Sequence, residues 1–479
     1  MRPGVQIQVL DSAPPRSAPT DTGVWFVVGE TEQGRTDMPT LIRSMDDYGR
    51  LLGDRVTFGF LYDALEVFFR EGGSAAYVGR VVGPAAVKAS HNLVDAVPTT
   101  SLVVTAIGPG DYGNSLKVQV VAGDVSGYQI HILDSDDNLL ENSGDLADQA
   151  SAVAWSAFSQ YVRITLGAAS DNPVVAAATA LSGGDDDRAS ITDADWLDAL
   201  NLFSKDLGPG NVSAPGRTTT TGYTQLTAHA AANNRVAFLD GPDTANAATV
   251  ETAAANAKGG GDGQYAALFA PWLVVPGIVA GTQRTVPPSA LAAGKCAQVD
   301  PVYGPGTPAA GVKGVSSFAT DTSQPDWDDT TRDTLNTDGV DVIRVLNGAV
   351  TIYGWRSLAD PINNPDWVPL GTVRYLMGLA ARAFSVGQEF VFAPIDGQGH
   401  TISAYQGALV ALCLADWNAG EIYGQTSSDA FNVDTGPAVN TPTVLAGNEL
   451  RAVISVRPSP MAELVTIQIV NTPITQAVA

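Results

Sequence analysis

Cysteine is nearly absent. Cys296 and Cys413 stand far apart, in no CxxC or Cys/His spacing, so neither a disulfide framework nor a structural zinc site is available and a reducing compartment fits. Histidine is as sparse: His91, His131, His229 and His400 lack the HExxH or HxH pairing that sets two ligands on one face, and each reads as a core or solvated residue. There is no GxSxG elbow, and neither cysteine has a histidine in a recognisable motif, so nucleophilic hydrolysis has no support. No catalytic residue, metal or cofactor is expected. Positive charge is short too, 26 Lys and Arg against 50 Asp and Glu for a net −24, which argues against coating nucleic acid or an anionic membrane. Long apolar runs are missing. The windows Tyr265–Gly281 and Ala404–Trp417 are broken by Pro271 and Pro276 or closed by Asp416, short of the ~20 residues a bilayer needs. The start of the chain lacks the apolar run of a signal peptide, so neither membrane insertion nor export by that route is expected.

What is there is 479 residues, 45% hydrophobic and only 16% charged, enough apolar material for several folded domains and for large surfaces that meet protein rather than water. Val5, Ile7 and Val9 alternate with Gln6 and Gln8, the period of a one-sided strand. Pro14, Pro15 and Pro19 then disfavour a hairpin back onto it, so its partner must be distant. Val465, Ile467 and Ile469 alternate with Thr466 and Gln468 after Pro458 and Pro460, repeating the design at the other end.

Between these arms the pattern predicts an α/β and α+β multidomain chain. Residues 1–22 form an N-terminal arm and linker, and residues 23–83 with 190–354 a layered α/β core. In the first core segment Ser44 caps a helix, and Leu61, Leu65, Phe68 and Phe69 share the face of another. Residues 84–189 read as a β-rich insertion facing outward, dispensable for assembly; 355–463 as a C-terminal α+β domain; and 464–479 as a C-terminal arm. Tyr265–Val275 reads as one buried strand.

Three motifs tempt and fail. Gly108-Pro-Gly-Asp-Tyr-Gly113-Asn114-Ser115 mimics a phosphate loop but places Asn114 where lysine is required, and it lies between strands rather than opening a helix. Asp134, Asp136 and Asn138 start like a calcium loop, yet Leu139 replaces the needed glycine. Asp185, Asp186 and Asp187 read as a solvated turn.

Several segments, in order, resemble the contractile tail sheath family of phage tails, R-type bacteriocins and related injection machines. They are PGVQIQVLDSAPP from Pro3, VVGETEQGRTDMPTLIRSMDDYGRLLG from Val27, LYDALEVFFREGGSAAYVGRVV from Leu61, IGPGDYGNSLKVQV from Ile107 and LSGGDDD from Leu181. YAALFAPWLVVP from Tyr265, VPPSALAAG from Val286, LNTDGVDVIRVLNGAVTIYGWRSL from Leu335 and AVISVRPSPMAELVTIQI from Ala452 complete the series. The resemblance implies a helical homopolymer of stacked six-fold rings around an inner tail tube, with baseplate and tail terminator proteins as further partners and no direct nucleic acid contact. It implies a subunit that contracts to drive the tube through a cell envelope, in a virion tail or injection particle assembled in the bacterial cytoplasm. The arms Val5–Val9 and Val465–Ile469 would then add strands to neighbouring subunits. It also places the C-terminal domain against the tube, where Arg374 and Arg382, eight residues apart and so roughly 80° apart on a helix, would share a basic face. The alternatives are a static shell or adhesin, or an enzyme whose active site motif reading does not recognise.

Overall fold

The computed structural model describes residues 20–467. The chain divides at Val391/Phe392 into two compact units, each taken by itself below.

The first unit opens with β1 (Trp25–Gly29), β2 (Thr40–Ile42), α1 (Met45–Leu52), α2 (Leu61–Arg70) and β3 (Ala76–Arg80). Ser44 caps α1 as expected, its side chain accepting from Asp47 N at 3.1 Å. The insertion follows: β4 (Ser90–Val94), β5 (Thr100–Ala106), β6 (Lys117–Ala122), β7 (Tyr128–Leu133), β8 (Leu139–Asn142), α3 (Gln149–Ser156), β9 (Val162–Leu166) and β10 (Ala176–Ala180). It makes two antiparallel sheets, β4-β5-β9 and β10-β6-β7-β8, closed over their own core of Leu102, Val104, Val118, Val120, Ile130 and Ile132.

The core then resumes with α4 (Asp193–Asn201), β11 (Asn211–Ser213), α5 (Thr220–Asn233), β12 (Val236–Asp240), α6 (Ala247–Lys258), β13 (Ala266–Ala270), β14 (Leu273–Pro276), β15 (Gln283–Val286) and α7 (Ser289–Tyr303). It ends with β16 (Asp321–Thr322), α8 (Asp329–Thr337), β17 (Val340–Leu346), β18 (Ala349–Ile352) and α9 (Leu370–Gln388). Eight strands form one sheet in the order β18-β17-β13-β12-β11-β1-β3-β2, parallel except at its two edges. Both faces are covered, which is why β1 and β13 are apolar and buried along their whole length, and β12 is so up to the buried Asp240 at its end. One face packs on α2 and α7, the other on α4, α5, α6 and α8.

Two expectations need correction. The run Tyr265–Val275 is two strands in different sheets, since Pro271 cannot donate to a ladder and the chain turns there from β13 into β14. The stretch from Trp355 does not open a separate domain: Trp355, Leu370, Val373 and Met377 are buried in the main core, because α9 carries an apolar face. The second unit starts later, with α10 (His400–Ala419), α11 (Ser427–Ala430), β19 (Phe431–Asp434), α12 (Pro442–Ala446) and β20 (Val453–Val456). There β19 and β20 pair antiparallel, from Phe431↔Val456 to Asp434↔Val453, and Gln406 Nε2 of α10 donates to Val433 O at 2.8 Å.

Candidate functional site

A parallel sheet of this kind offers its ligand crevice at the carboxyl ends of the strands where the winding reverses, here between β1 and β11. In this chain the carboxyl ends of β1, β3, β12 and β13 are closed over by side chains. Beyond β1, Glu30 faces Arg188, whose guanidinium also pairs with Asp186 and lies 3.3 Å from the centre of the Phe58 ring. The small hollow lined by Glu30, Thr31, Val81, Asp186 and Arg188 has no room for a water molecule. Burial raises the Glu30 carboxyl above its usual range, an effect that the nearby Arg188 partly offsets. Beyond β13 and β12, Trp272 packs edge-on against Phe60, with ring centres 5.1 Å apart, and donates from Nε1 to Gly241 O at 2.8 Å. Asp240, at the end of β12, accepts from Gly216 N at 3.0 Å and from Ser289 N and Oγ at 2.7 and 3.0 Å. Burial pushes its carboxyl up to about 6. Asp240 therefore knits the β11 loop to the start of α7 and presents no free base.

The near-miss motifs have structural roles. Gly108–Ser115 is a turn ending in a 3-10 helix between β5 and β6, and it docks the insertion on the core. A Cβ on Gly108 would lie 1.8 Å from the Gly34 carbonyl oxygen, so only glycine permits the approach. Arg80, 2% exposed at the end of β3, donates to the carbonyls of Gly34, Thr31, Glu32 and Pro109, and burial lowers its pKa to about 10. Within the aspartate run Asp185 is exposed, as in a solvated turn, whereas Asp186 and Asp187 also work at this joint. Gly83 N donates to Asp186 O at 2.8 Å, Ala85 N to Asp187 Oδ2 at 2.9 Å, and Asp186 is 8% exposed. Asp134 caps its own exposed turn, accepting from Asp136 N and Asn138 N, each at 2.8 Å. His229 is a core residue whose Nε2 lies 2.9 Å from the Arg235 guanidinium, and burial pushes its pKa down to about 4. Among the described residues, no cluster of three or more His, Cys, Asp or Glu could hold a metal ion, and no helix is long and apolar enough to cross a membrane.

The arms stand differently. Val5, Gln6, Ile7, Gln8 and Val9, together with Gln468 and Ile469, lie outside the described residues. Val465, Thr466 and Ile467 form no strand within the chain, and the two apolar side chains are 74% and 79% exposed. In the second unit, β19 and β20 each have one partner strand among the described residues.

The basic face on α9 is overturned at Arg374. Its side chain is 0% exposed, and its guanidinium donates twice to the carboxylate of Asp300 on α7, at 2.9 and 2.7 Å. Burial alone would lower its pKa, but Asp300 more than offsets this and holds it above its ordinary value. Arg374 shares its face with Leu370 and Gly378, one turn away on either side and both turned inward, whereas Arg382 is half-exposed and its Nε reaches Gly378 O at 3.4 Å.

No protein-family model and no curated protein matches the chain by sequence. Solved structures do. A chain of the six-fold symmetrised baseplate of the anti-feeding prophage is 17% identical with a TM-score of 0.56, over 98% of this chain and 99% of that one. A sheath tail protein from Listeria innocua is 13% identical with a TM-score of 0.61, over 92% and 96%. A sheath tail protein from Desulfitobacterium hafniense is 14% identical with a TM-score of 0.53, over 90% and 93%. Over the described residues, this chain has the fold of contractile sheath proteins.

Proposed function

We propose that the chain is a structural subunit of a contractile tail sheath, stacked as hexameric rings around an inner tail tube and shortening to drive that tube through a target envelope. The observation that carries this reading is the whole-chain likeness to sheath proteins of several contractile particles, including an extracellular injection system in its contracted state at a TM-score of 0.55. Baseplate and terminator proteins would meet the ends of the polymer, and the particle would be built in the bacterial cytoplasm as a virion tail or injection device. The tube contact lies elsewhere than Arg374.

Assembly would run through the arms. Each terminal segment carries a one-sided alternating strand, and the β19–β20 pair supplies edges to receive them, a two-stranded sheet being marginal until further strands are added. An arm making about four backbone hydrogen bonds at ~0.5–1.5 kcal/mol each gains a few kcal/mol, and repetition over a lattice multiplies that gain. Deleting Met1 to Leu10 is expected to leave a folded monomer that sediments without forming tubes. Normal tubes from the truncated chain would refute the role of the arm.

A further inference from the structure

The root of the N-terminal arm is gripped inside the protein. Thr22 is 6% exposed, and its hydroxyl donates to Asp300 Oδ2 at 2.5 Å while its carbonyl oxygen lies 3.4 Å from the Arg374 guanidinium. The Thr22 methyl sits where α9 has Gly378: a Cβ there would come within 3.3 Å of it and within 3.0 Å of Pro305. Gly23 is as tightly held on the other side, for a Cβ on it would lie 2.9 Å from the Ala297 backbone of α7. Two residues later β1 begins, in the middle of the eight-stranded sheet, with Trp25 N donating to Ala75 O and Val24 O accepting from Asn211 N at 3.0 Å.

A buried ion pair is a costly way to join two helices. Its desolvation often cancels its attraction, and an apolar pair of similar volume usually packs as stably. The Asp300–Arg374 pair does something an apolar pair could not, which is to offer a carboxylate to the Thr22 hydroxyl and a guanidinium to its carbonyl. We propose that Asp300 and Arg374 form an anchor for the N-terminal arm, clamping the chain at Thr22 so that a pull on residues 1–19 passes into α7 and α9 instead of peeling β1 out of the sheet. The inference rests on the arm-mediated assembly proposed above. Without the clamp, the first groups to resist such a pull would be the hydrogen bonds of Val24 and Trp25 at the start of β1, which would open one after another. With it, the pull must first separate a double charge-assisted contact shielded from water.

The test uses the full chain with Asp300→Leu and Arg374→Met together, which replaces the pair by apolar groups, and Thr22→Val alone, which removes only the hydroxyl in case the double variant fails to fold. Hydrogen exchange in the unassembled protein reads the anchor. The expected result is amide exchange over residues 22–25 at least ten-fold faster in the double variant and several-fold faster in Thr22→Val, with melting close to the parent's. Parent-like protection of residues 22–25 in both variants overturns the anchor. Sheared polymers read its mechanical role, with tubes of either variant expected to break at least ten-fold more often than parental ones. Released roots with parental shear resistance overturn the proposal as well. If the chain lacking Met1 to Leu10 forms normal tubes, the arm reading itself fails, an outcome separate from the exchange measured in the unassembled variants.

Discussion

Glu71, at the end of α2, meets Lys295 of α7 at 2.8 Å with their side chains 0% and 4% exposed. The Glu71 carboxylate also accepts from Ser316 Oγ and from the backbone N–H groups of Ser317 and Phe318, at 3.0 and 2.9 Å for the two amides. Burial works against its charge, but Lys295 and Ser316 more than offset this and hold the carboxyl below its usual range. One carboxylate thus ties α2, α7 and the 316–318 loop into a block against one face of the sheet. Lys295→Met would leave that carboxylate buried and unpaired, and is expected to cost about 3–5 kcal/mol in denaturant unfolding. A loss below about 1 kcal/mol would mean that water or the hydroxyls suffice to satisfy Glu71.

The insertion should be separable only if its dock is treated with it. Arg80 is buried partly by the Pro109 carbonyl, so replacing residues 84–189 by a short Gly/Ser linker uncovers a guanidinium and leaves its remaining carbonyl partners in place. That exchange is expected to give a folded chain that still polymerises. Arg80→Met in the full chain should loosen the insertion, with tryptic cleavage between residues 84 and 189 at least ten-fold faster and the core intact. Loss of polymers from the linker variant with its core still folded would make the insertion part of the lattice.

Asp240 gives the fold a pH dependence of known sign. Its folded pKa of about 6 lies above its ordinary 3.8, so the native state holds the proton more tightly than the unfolded chain does. This contribution is fully present below 3.8 and is lost as pH rises through 6, by up to ~3 kcal/mol at ~1.4 kcal/mol per unit. The parent and Asp240→Asn should therefore differ in the slope of stability against pH between 4 and 6. Parallel profiles would show that Asp240 is ionised in the native state throughout.

The regular parts of the fold were legible where burial is one-sided or complete. The Ser44 cap and the shared face of Leu61, Leu65 and Phe68 appear as the sequence predicts, because a cap and a helical periodicity are local. The three-residue β11 is not legible in the sequence, for Asn211-Val212-Ser213 carries no strand signal by itself and is held by the neighbours β1 and β12. The burial of Arg374 is illegible for a different reason. Arginine on a helix reads as surface, and only its partner Asp300, 74 positions away in the sequence, makes burial affordable. The role of Asp186 and Asp187 is illegible because Gly83 and Ala85, whose amides close on them, lie about a hundred residues earlier in the chain.

The central claim is that terminal strands from one subunit complete the sheets of the next. A helical cryo-EM reconstruction of polymers grown from the purified chain tests it most directly. Six-fold rings with Val5–Val9 and Val465–Ile469 paired to strands of neighbouring subunits, on the edges of β19 and β20, are the predicted result. Arms folded back on their own subunit, or small uniform particles with no polymer at any concentration, would contradict it.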